Sequence, residues 1–431
     1  MATALVWFTT DLRLEDNETL SKALSQYDEI VPVYCYNEAH FGITDFGFQK
    51  TGLYRARFLQ ESLIDLNEQL NKIGSGLWVV KGQPAKALCD LVKKYHIKKV
   101  FTKREIAWEE IQTQNQVEYV LQDLGCAFET VDTSTLFHRE DLPFAVSNIP
   151  DVFTEFRKNV EKKSLVREVI PQPRSIQSPP LEPFVLPTLT SLGLEEMPLD
   201  ERTAFPFKGG ASAGWERMND YFFVTHAVKS YKLTRNEMVG SEYSTKFSAW
   251  LAMGCLSPKS IYHELVRYEK DYGANDSTYW VVFELLWRDY FRWMMEKYGH
   301  RFFLPSGIKK YQTPAGTHDV SLFELWVEGK TDNDFVNANM RELKLTGFMS
   351  NRGRQNVASY LCNDLQLDWR FGAAYFEQQL IDYDVSSNWC NWAYVAGVGN
   401  DPRSKRIFNV EKQANDYDQH KIFRNLWLTN K

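Results

Sequence analysis

The run Leu380-Ile381-Asp382-Tyr383-Asp384-Val385-Ser386-Ser387-Asn388-Trp389-Cys390-Asn391-Trp392-Ala393-Tyr394 is too polar for a core helix and too aromatic for a solvent loop. Asp382 and Asp384 sit two apart, so on a helix they would face away from each other. Both can converge on one ligand only from an extended turn. Ser386 or Ser387 then caps a following helix, on which Asn388 and Trp392, four apart, share a face with Tyr394 on the neighbouring one. An amide and an indole there point at one guest. The competing reading makes the aromatics core residues and the aspartates helix caps.

Two more stretches carry chemistry. Glu242 to Pro258 opens with the hydroxyls of Ser244 and Thr245 and the ammonium of Lys246 just where a helix is expected to begin. Exposed amides and the positive end of the helix dipole make an anion site there, and a pyrophosphate fits it; plain capping by Ser244 is the alternative. In Glu284-Leu285-Leu286-Trp287-Arg288-Asp289-Tyr290, the carboxylate of Glu284, the indole of Trp287 and the guanidinium of Arg288 lie within one helical turn and flank one concavity. Arg288 then pairs with a phosphate or with Asp382, unless Glu284 and Arg288 form only an intrahelical salt bridge. On a further helix Asn351, Arg354 and Gln355 are one turn apart.

With Leu367-Asp368-Trp369-Arg370 added, these stretches resemble the flavin domain of the photolyase and cryptochrome family. Residues 136–144 and 152–158 resemble the segment that marks its DASH-type members. The resemblance implies FAD held by Tyr231, Ser244, Thr245, Lys246, Phe247, Ser248, Arg288, Arg354, Asp382, Asp384 and Asn388, with Arg354 paired to Asp382 and Asn388 facing the flavin N5. It implies Glu284 between flavin and lesion, and Trp287, Asn351, Gln355 and Tyr394 around the lesion. Trp392 and Trp369 match the first two members of the family's electron-transfer chain. The third tryptophan is missing, because Gly316 stands where it belongs, which leaves Tyr311, Trp326 or another route. Glu105, with residues 46–52 and the pair Glu109 and Glu110, falls where DASH members bind a methenyltetrahydrofolate antenna.

The activity so implied is blue-light repair of cyclobutane pyrimidine dimers by a deoxyribodipyrimidine photolyase. Tyr394 stands where duplex photolyases carry a second stacking tryptophan. Its smaller ring grips an extruded dimer less well, so single-stranded DNA is the expected partner, with duplex DNA and RNA as weaker ones. The runner-up is an FAD-binding blue-light photoreceptor that signals without appreciable repair.

The elements that must position these residues follow from the pattern. Up to about residue 135, short apolar runs at 5–8, 30–34, 77–80, 99–101 and 128–131 alternate with amphipathic stretches, the mark of an α/β doubly wound domain. Such sheets place ligands at the carboxyl ends of their strands. No GxGxxG is present, against a nicotinamide-dependent reductase. Residues 136–210 hold ten of the sixteen prolines and read as an interdomain connector. From 211 to 431 the pattern is nearly all helix, an all-α FAD-binding domain that carries ten of the thirteen tryptophans.

With 431 residues, two domains are the expectation. The six cysteines are scattered, with no CxxC and no metal-ligand spacing, so no metal is expected and the thiols read as reduced in a cytoplasmic monomer. No apolar run approaches a membrane span. A net charge of −6 means that any DNA site needs a local basic face, for which Lys229, Lys232, Arg235, Lys246 and Arg403, Lys405, Arg406 are candidates.

Overall fold

The computed structural model describes residues 2–309, 316–402 and 406–429. Five strands, β1 (Thr3–Phe8), β2 (Glu29–Tyr36), β3 (Trp78–Lys81), β4 (Lys99–Lys103) and β5 (Ala127–Val131), form one parallel sheet in the order β3-β2-β1-β4-β5. The helices between them are α1 (Glu18–Gln26), α2 (Leu53–Lys72), α3 (Pro84–Tyr95) and α4 (Trp108–Gln122). Crossover helices cover both faces of such a sheet, so its central strand reads as an unbroken apolar run. β1 is buried at all six positions. Its residues alternate between two cores: Ala4, Val6 and Phe8 face the large one, while Leu5 and Trp7 face a smaller one with Val33, Leu88, Val100 and Val117.

Past the sheet, the proline-rich stretch contributes one α-helix, α5 (Phe153–Lys163). The remaining helices are α6 (Ala211–Asn219), α7 (Tyr231–Thr234), α8 (Ser248–Ala252), α9 (Pro258–Tyr272), α10 (Asp276–Tyr298), α11 (Val320–Val327), α12 (Asp334–Thr346), α13 (Asn351–Ser359), α14 (Trp369–Gln379), α15 (Val385–Val395), α16 (Val410–Tyr417) and α17 (Ile422–Leu428). One π-helical turn prolongs α6 through Asp220–Val224 and another prolongs α13 through Tyr360–Asp364.

The larger core continues from the sheet into the helices, joining Phe8 and Phe58 to Trp250, Trp326 and Trp392. Two glycines show how closely the parts approach. Gly254, at φ +67°, passes so near the end of β1 that a β-carbon would lie 2.2 Å from the Thr10 carbonyl oxygen. At Gly316 a β-carbon would lie 2.8 Å from the Asp368 backbone. A side chain at that position would require this backbone to shift.

Candidate functional site

Ile381 and Asp382 lie in a turn, across which the Tyr383 amide donates to the Leu380 carbonyl at 3.4 Å; Asp384 is extended, and α15 begins directly after it. Its N-cap is Asp384, whose Oδ1 accepts from the Ser387 amide at 2.8 Å and from the Ser386 hydroxyl at 2.7 Å. The expected capping by Ser386 or Ser387 is thus corrected. An aspartate can cap with one oxygen and still present charge with the other, and Oδ2 faces the Arg292 guanidinium at 3.6 Å. Burial opposes the charge on Asp384, but Arg292 and Arg288 hold its carboxyl down at about 2. Asp382 has another partner: Arg354 Nη2 donates to both its oxygens, at 3.0 and 2.9 Å.

These groups wall a cavity of about 1170 Å³. Tyr231, Ser244, Thr245, Lys246, Phe247, Ser248, Arg288, Arg354, Asp382 and Asp384, all expected to hold FAD, line it. The anion turn is built as follows. Arg217, almost wholly buried, donates to the carbonyls of Ser241, Ser244 and Thr245 at 3.1 to 3.2 Å. Lys246 is driven to φ +62°, a backbone state that a lysine adopts only when its surroundings over-determine it. The next residue, Phe247, is the N-cap of α8 and makes no side-chain cap bond. Capping by Ser244 is therefore ruled out, and the first-turn amides of α8 lack intrahelical partners. Open amides, hydroxyls and basic groups around one concavity fit the pyrophosphate of FAD.

Lys246 departs from the expectation of an exposed basic face. It is 3% exposed, and its ammonium lies 3.1 Å from the Tyr243 ring centroid without a hydrogen bond. Glu342 is close enough to act on it electrostatically. Burial pulls the ammonium well below its ordinary range and pushes the Glu342 carboxyl up to about 8, against Lys246 and Arg354. Of the other basic candidates, Lys232 pairs with Asp276 and Arg235 with Glu284. Arg403 and Lys405 lie outside the described residues.

Helix α10 brings Glu284 and Arg288 to the same cavity. Glu284 pairs with Arg235 at 2.8 Å, so the intrahelical salt bridge is not formed. Its carboxyl is raised by burial, with Arg235 pulling the other way. Arg288 does not pair with Asp382. It donates to the carbonyls of Ser134 and Leu251, and Asp384 is the acid that acts on it most strongly. Trp287 is displaced from the shared concavity: its ring stacks on Phe153 of α5, with centroids 3.6 Å apart and planes 11° from parallel. Tyr394 meets the Trp287 ring edge-on at 6.1 Å, and Arg406 both bonds its hydroxyl and covers its ring. Trp287 and Tyr394 thus form an aromatic pair beside the cavity, one turn along α10 from Glu284.

A second cavity of about 630 Å³ shares Asn351, Arg354, Asp382, Asp384 and Ser387 with the first and adds Gln355, Asn388 and Trp392. Asn388 and Trp392 do share a face. The Asn388 amide nitrogen donates to the Ala373 carbonyl at 2.9 Å, which orients the side chain. The Trp392 ring contacts Phe376 and Trp326, while Trp369, away from both cavities, contacts Trp389 at 5.8 Å. Tyr311 lies outside the described residues.

A third cavity, also about 1170 Å³, opens at the carboxyl ends of β1, β2 and β4, where the strand order reverses. Glu105 lines it, as do Lys50, Thr51, Glu110, Glu377 and Tyr383. Glu105 accepts from the Thr9 hydroxyl and pairs with Lys103, both at 3.0 Å. Sequence reasoning missed Arg217, the Arg235 partner of Glu284 and the Phe153 stack. None has a local pattern, since each acts on a segment remote in the chain.

Comparison with known proteins agrees with this geometry. Residues 4–176 match the family model of DNA photolyase, and residues 280–430 match that of the FAD binding domain of DNA photolyase. A Cryptochrome DASH of Gloeobacter violaceus is 46% identical over 427 residues, covering 99% of this chain and 85% of that protein. The crystal structure of a Synechocystis cryptochrome superposes with a TM-score of 0.96 at 46% identity, over 99% of this chain and 89% of the other. A bacterial class III photolyase from Agrobacterium tumefaciens superposes at 0.84 with 25% identity, over 99% and 86%. With its parallel-sheet half, its helical flavin-domain half and relatives of this similarity along nearly its whole length, the chain belongs to the photolyase and cryptochrome family, in its DASH branch.

Proposed function

We propose that the protein repairs cyclobutane pyrimidine dimers under blue light, preferentially in single-stranded DNA. The observation that carries this reading is Glu284: its carboxyl lines the cavity assembled by residues 244–248, 354, 382 and 384, and the next turn of its helix carries Trp287. One acid therefore adjoins both the cofactor cavity and an aromatic surface.

The chain's own residues then divide the work. Open α8 amides and the hydroxyls of Ser244, Thr245 and Ser248 receive the pyrophosphate. The Arg354–Asp382 pair and Asn388 hold the ring system. Reduced FAD, when bound and excited, supplies an electron to the dimer and takes it back, with no net redox change. In its protonated form, which burial favours and the Arg235 pair opposes, Glu284 donates to a pyrimidine carbonyl and stabilises charge that develops there. Trp287, one face backed by Phe153, and Tyr394, tied by Arg406, form the surface for the extruded bases. Asn351 and Gln355 flank it.

The single-strand preference rests on Tyr394. Extruding a dimer costs a few kcal/mol in a duplex and little in a single strand, and a phenol already engaged by Arg406 repays less of that cost than an indole would. We assign the third cavity to a methenyltetrahydrofolate antenna near Glu105. Its position between the sheet and the turn 383–385 suits energy transfer to the flavin.

The test is blue-light repair of a thymine dimer by the reduced protein, in one oligonucleotide presented single-stranded and as duplex. Single-strand repair with little duplex repair is expected, and Tyr394→Trp should raise the duplex share. Repair of neither substrate, with FAD bound and reduced, would overturn the reading in favour of a photoreceptor.

A further inference from the structure

We propose that Trp389 is the terminal electron donor for photoreduction of bound flavin and that Glu377 takes its proton, an inference that rests on the flavin chemistry proposed above. The family pattern supplies Trp392 and Trp369 but no third tryptophan, since Gly316 stands where it is expected, with its backbone close against Asp368.

An indole that loses an electron becomes a cation and a strong acid. Buried without compensation the cation is costly, and it returns its charge by recombination unless a base removes the N–H proton. The buried indoles differ in this respect. Trp369 Nε1 donates to the Pro305 carbonyl at 3.1 Å, and Trp326 Nε1 to the Val357 carbonyl at 3.2 Å. A peptide carbonyl is too weak a base to keep either proton. Trp389 Nε1 donates to Glu377 Oε2 at 3.2 Å and to the Tyr383 hydroxyl at 3.2 Å. A carboxylate can keep the proton, so of these three indoles Trp389 alone has a trap.

Trp389 packs against the second tryptophan of the family pattern. Its ring meets that of Trp369 at 5.8 Å, with Phe303 packed against it at 4.9 Å. Glu377 lines the third cavity, 3.8 Å from Lys50, whose ammonium also pairs with exposed Glu109. The proton is therefore deposited on the seam between the sheet and the helices.

In the step itself, one electron passes from the Trp389 indole to oxidised Trp369, and the Nε1 proton passes to the Glu377 carboxylate. A neutral indolyl radical then faces a carboxylic acid. An added thiolate later returns one electron to that radical while Glu377 returns the proton, giving indole, carboxylate and a thiyl radical.

Transient absorption and freeze-quench paramagnetic resonance of the FAD-loaded protein after a blue flash, with dithiothreitol as the thiol, test this. Wild type should show a long-lived neutral indolyl radical whose formation slows in deuterated water. Trp389→Phe should lose it. Glu377→Gln keeps an acceptor but no base, so it should bind FAD, lose the long-lived radical and lose the deuterium effect. If Trp389→Phe fails to hold FAD, Glu377→Gln decides alone. Unchanged radical lifetimes in both variants, with Trp392→Phe inactive in photoreduction, would overturn the inference and leave the expected Trp392 step standing. An unaffected Trp392→Phe would overturn the expected Trp392 step and the inference with it, leaving the proposed repair by reduced FAD in place.

Discussion

Replacing Asp382 by asparagine tests the centre of the proposed cofactor site. Arg354 Nη2 donates to both carboxylate oxygens, and its Nε is tied to the Met349 carbonyl at 2.9 Å, so the guanidinium has little freedom to find another acceptor. The asparagine side chain would offer one acceptor and turn its amide hydrogens against the arginine. Leaving one member of a fully buried pair unmatched costs about 3–5 kcal/mol. Here the Asp382 side chain is 2% exposed but Arg354 keeps 27%, so water recovers part of the loss. A discounted cost of about 2 kcal/mol corresponds to roughly thirtyfold weaker FAD binding, at about 1.4 kcal/mol per decade. Quenching of flavin fluorescence on titration with apoprotein measures it, well below the melting temperature of the variant. Affinity within twofold of wild type would refute the reasoning, because neither the pair nor the cavity it lines would then matter to the cofactor.

Two other substitutions separate chemistry from scaffolding. Glu284→Ala should lower the repair yield per absorbed photon with FAD still bound, since the acid lines the cavity but the anion turn is built elsewhere; equal yield, measured by actinometry, would reduce Glu284 to a partner for Arg235. Glu342→Gln should change how stability depends on pH. The Glu342 carboxyl is raised to about 8 from its ordinary 4.5, so its contribution is fully present below about pH 4.5 and is lost as pH rises through about 8. The amide cannot ionise, so thermal melts of the apoprotein should show wild type losing stability relative to the variant across that window, and parallel curves would sink the assignment.

The sheet and most helices were legible because each is specified by its own residues. The five strands announce themselves as short apolar runs, and α15 by the polar turn before it. The lining of the first two cavities was anticipated mainly through the family resemblance, carried by the contiguous stretches 244–248, 351–355 and 382–388. What was not legible is pairing between stretches. Asp384 caps α15 in place of Ser386 or Ser387 because Arg292 and Arg288, on a separate helix, reward a charged cap, and a local propensity scale cannot register a distant guanidinium. Trp287 left the shared concavity because Phe153, supplied by the connector, stacks on it.

The turn 382–385 shows why so much could be read from one run. Asp382 and Tyr383 face the second cavity, Asp384 borders all three, and Tyr383 and Val385 reach the third. Each side chain answers to a different neighbour: Asp382 to Arg354, Tyr383 to Arg55, whose guanidinium lies 4.5 Å from its ring, and Asp384 to Arg292 and Arg288. Three acceptors set against four guanidiniums in consecutive positions cannot be satisfied by a regular helix, whose successive side chains diverge by about 100° per residue on one cylinder. The chain therefore turns at Ile381 and Asp382 and is extended at Asp384, which caps α15, and that path lets one segment border all three cavities.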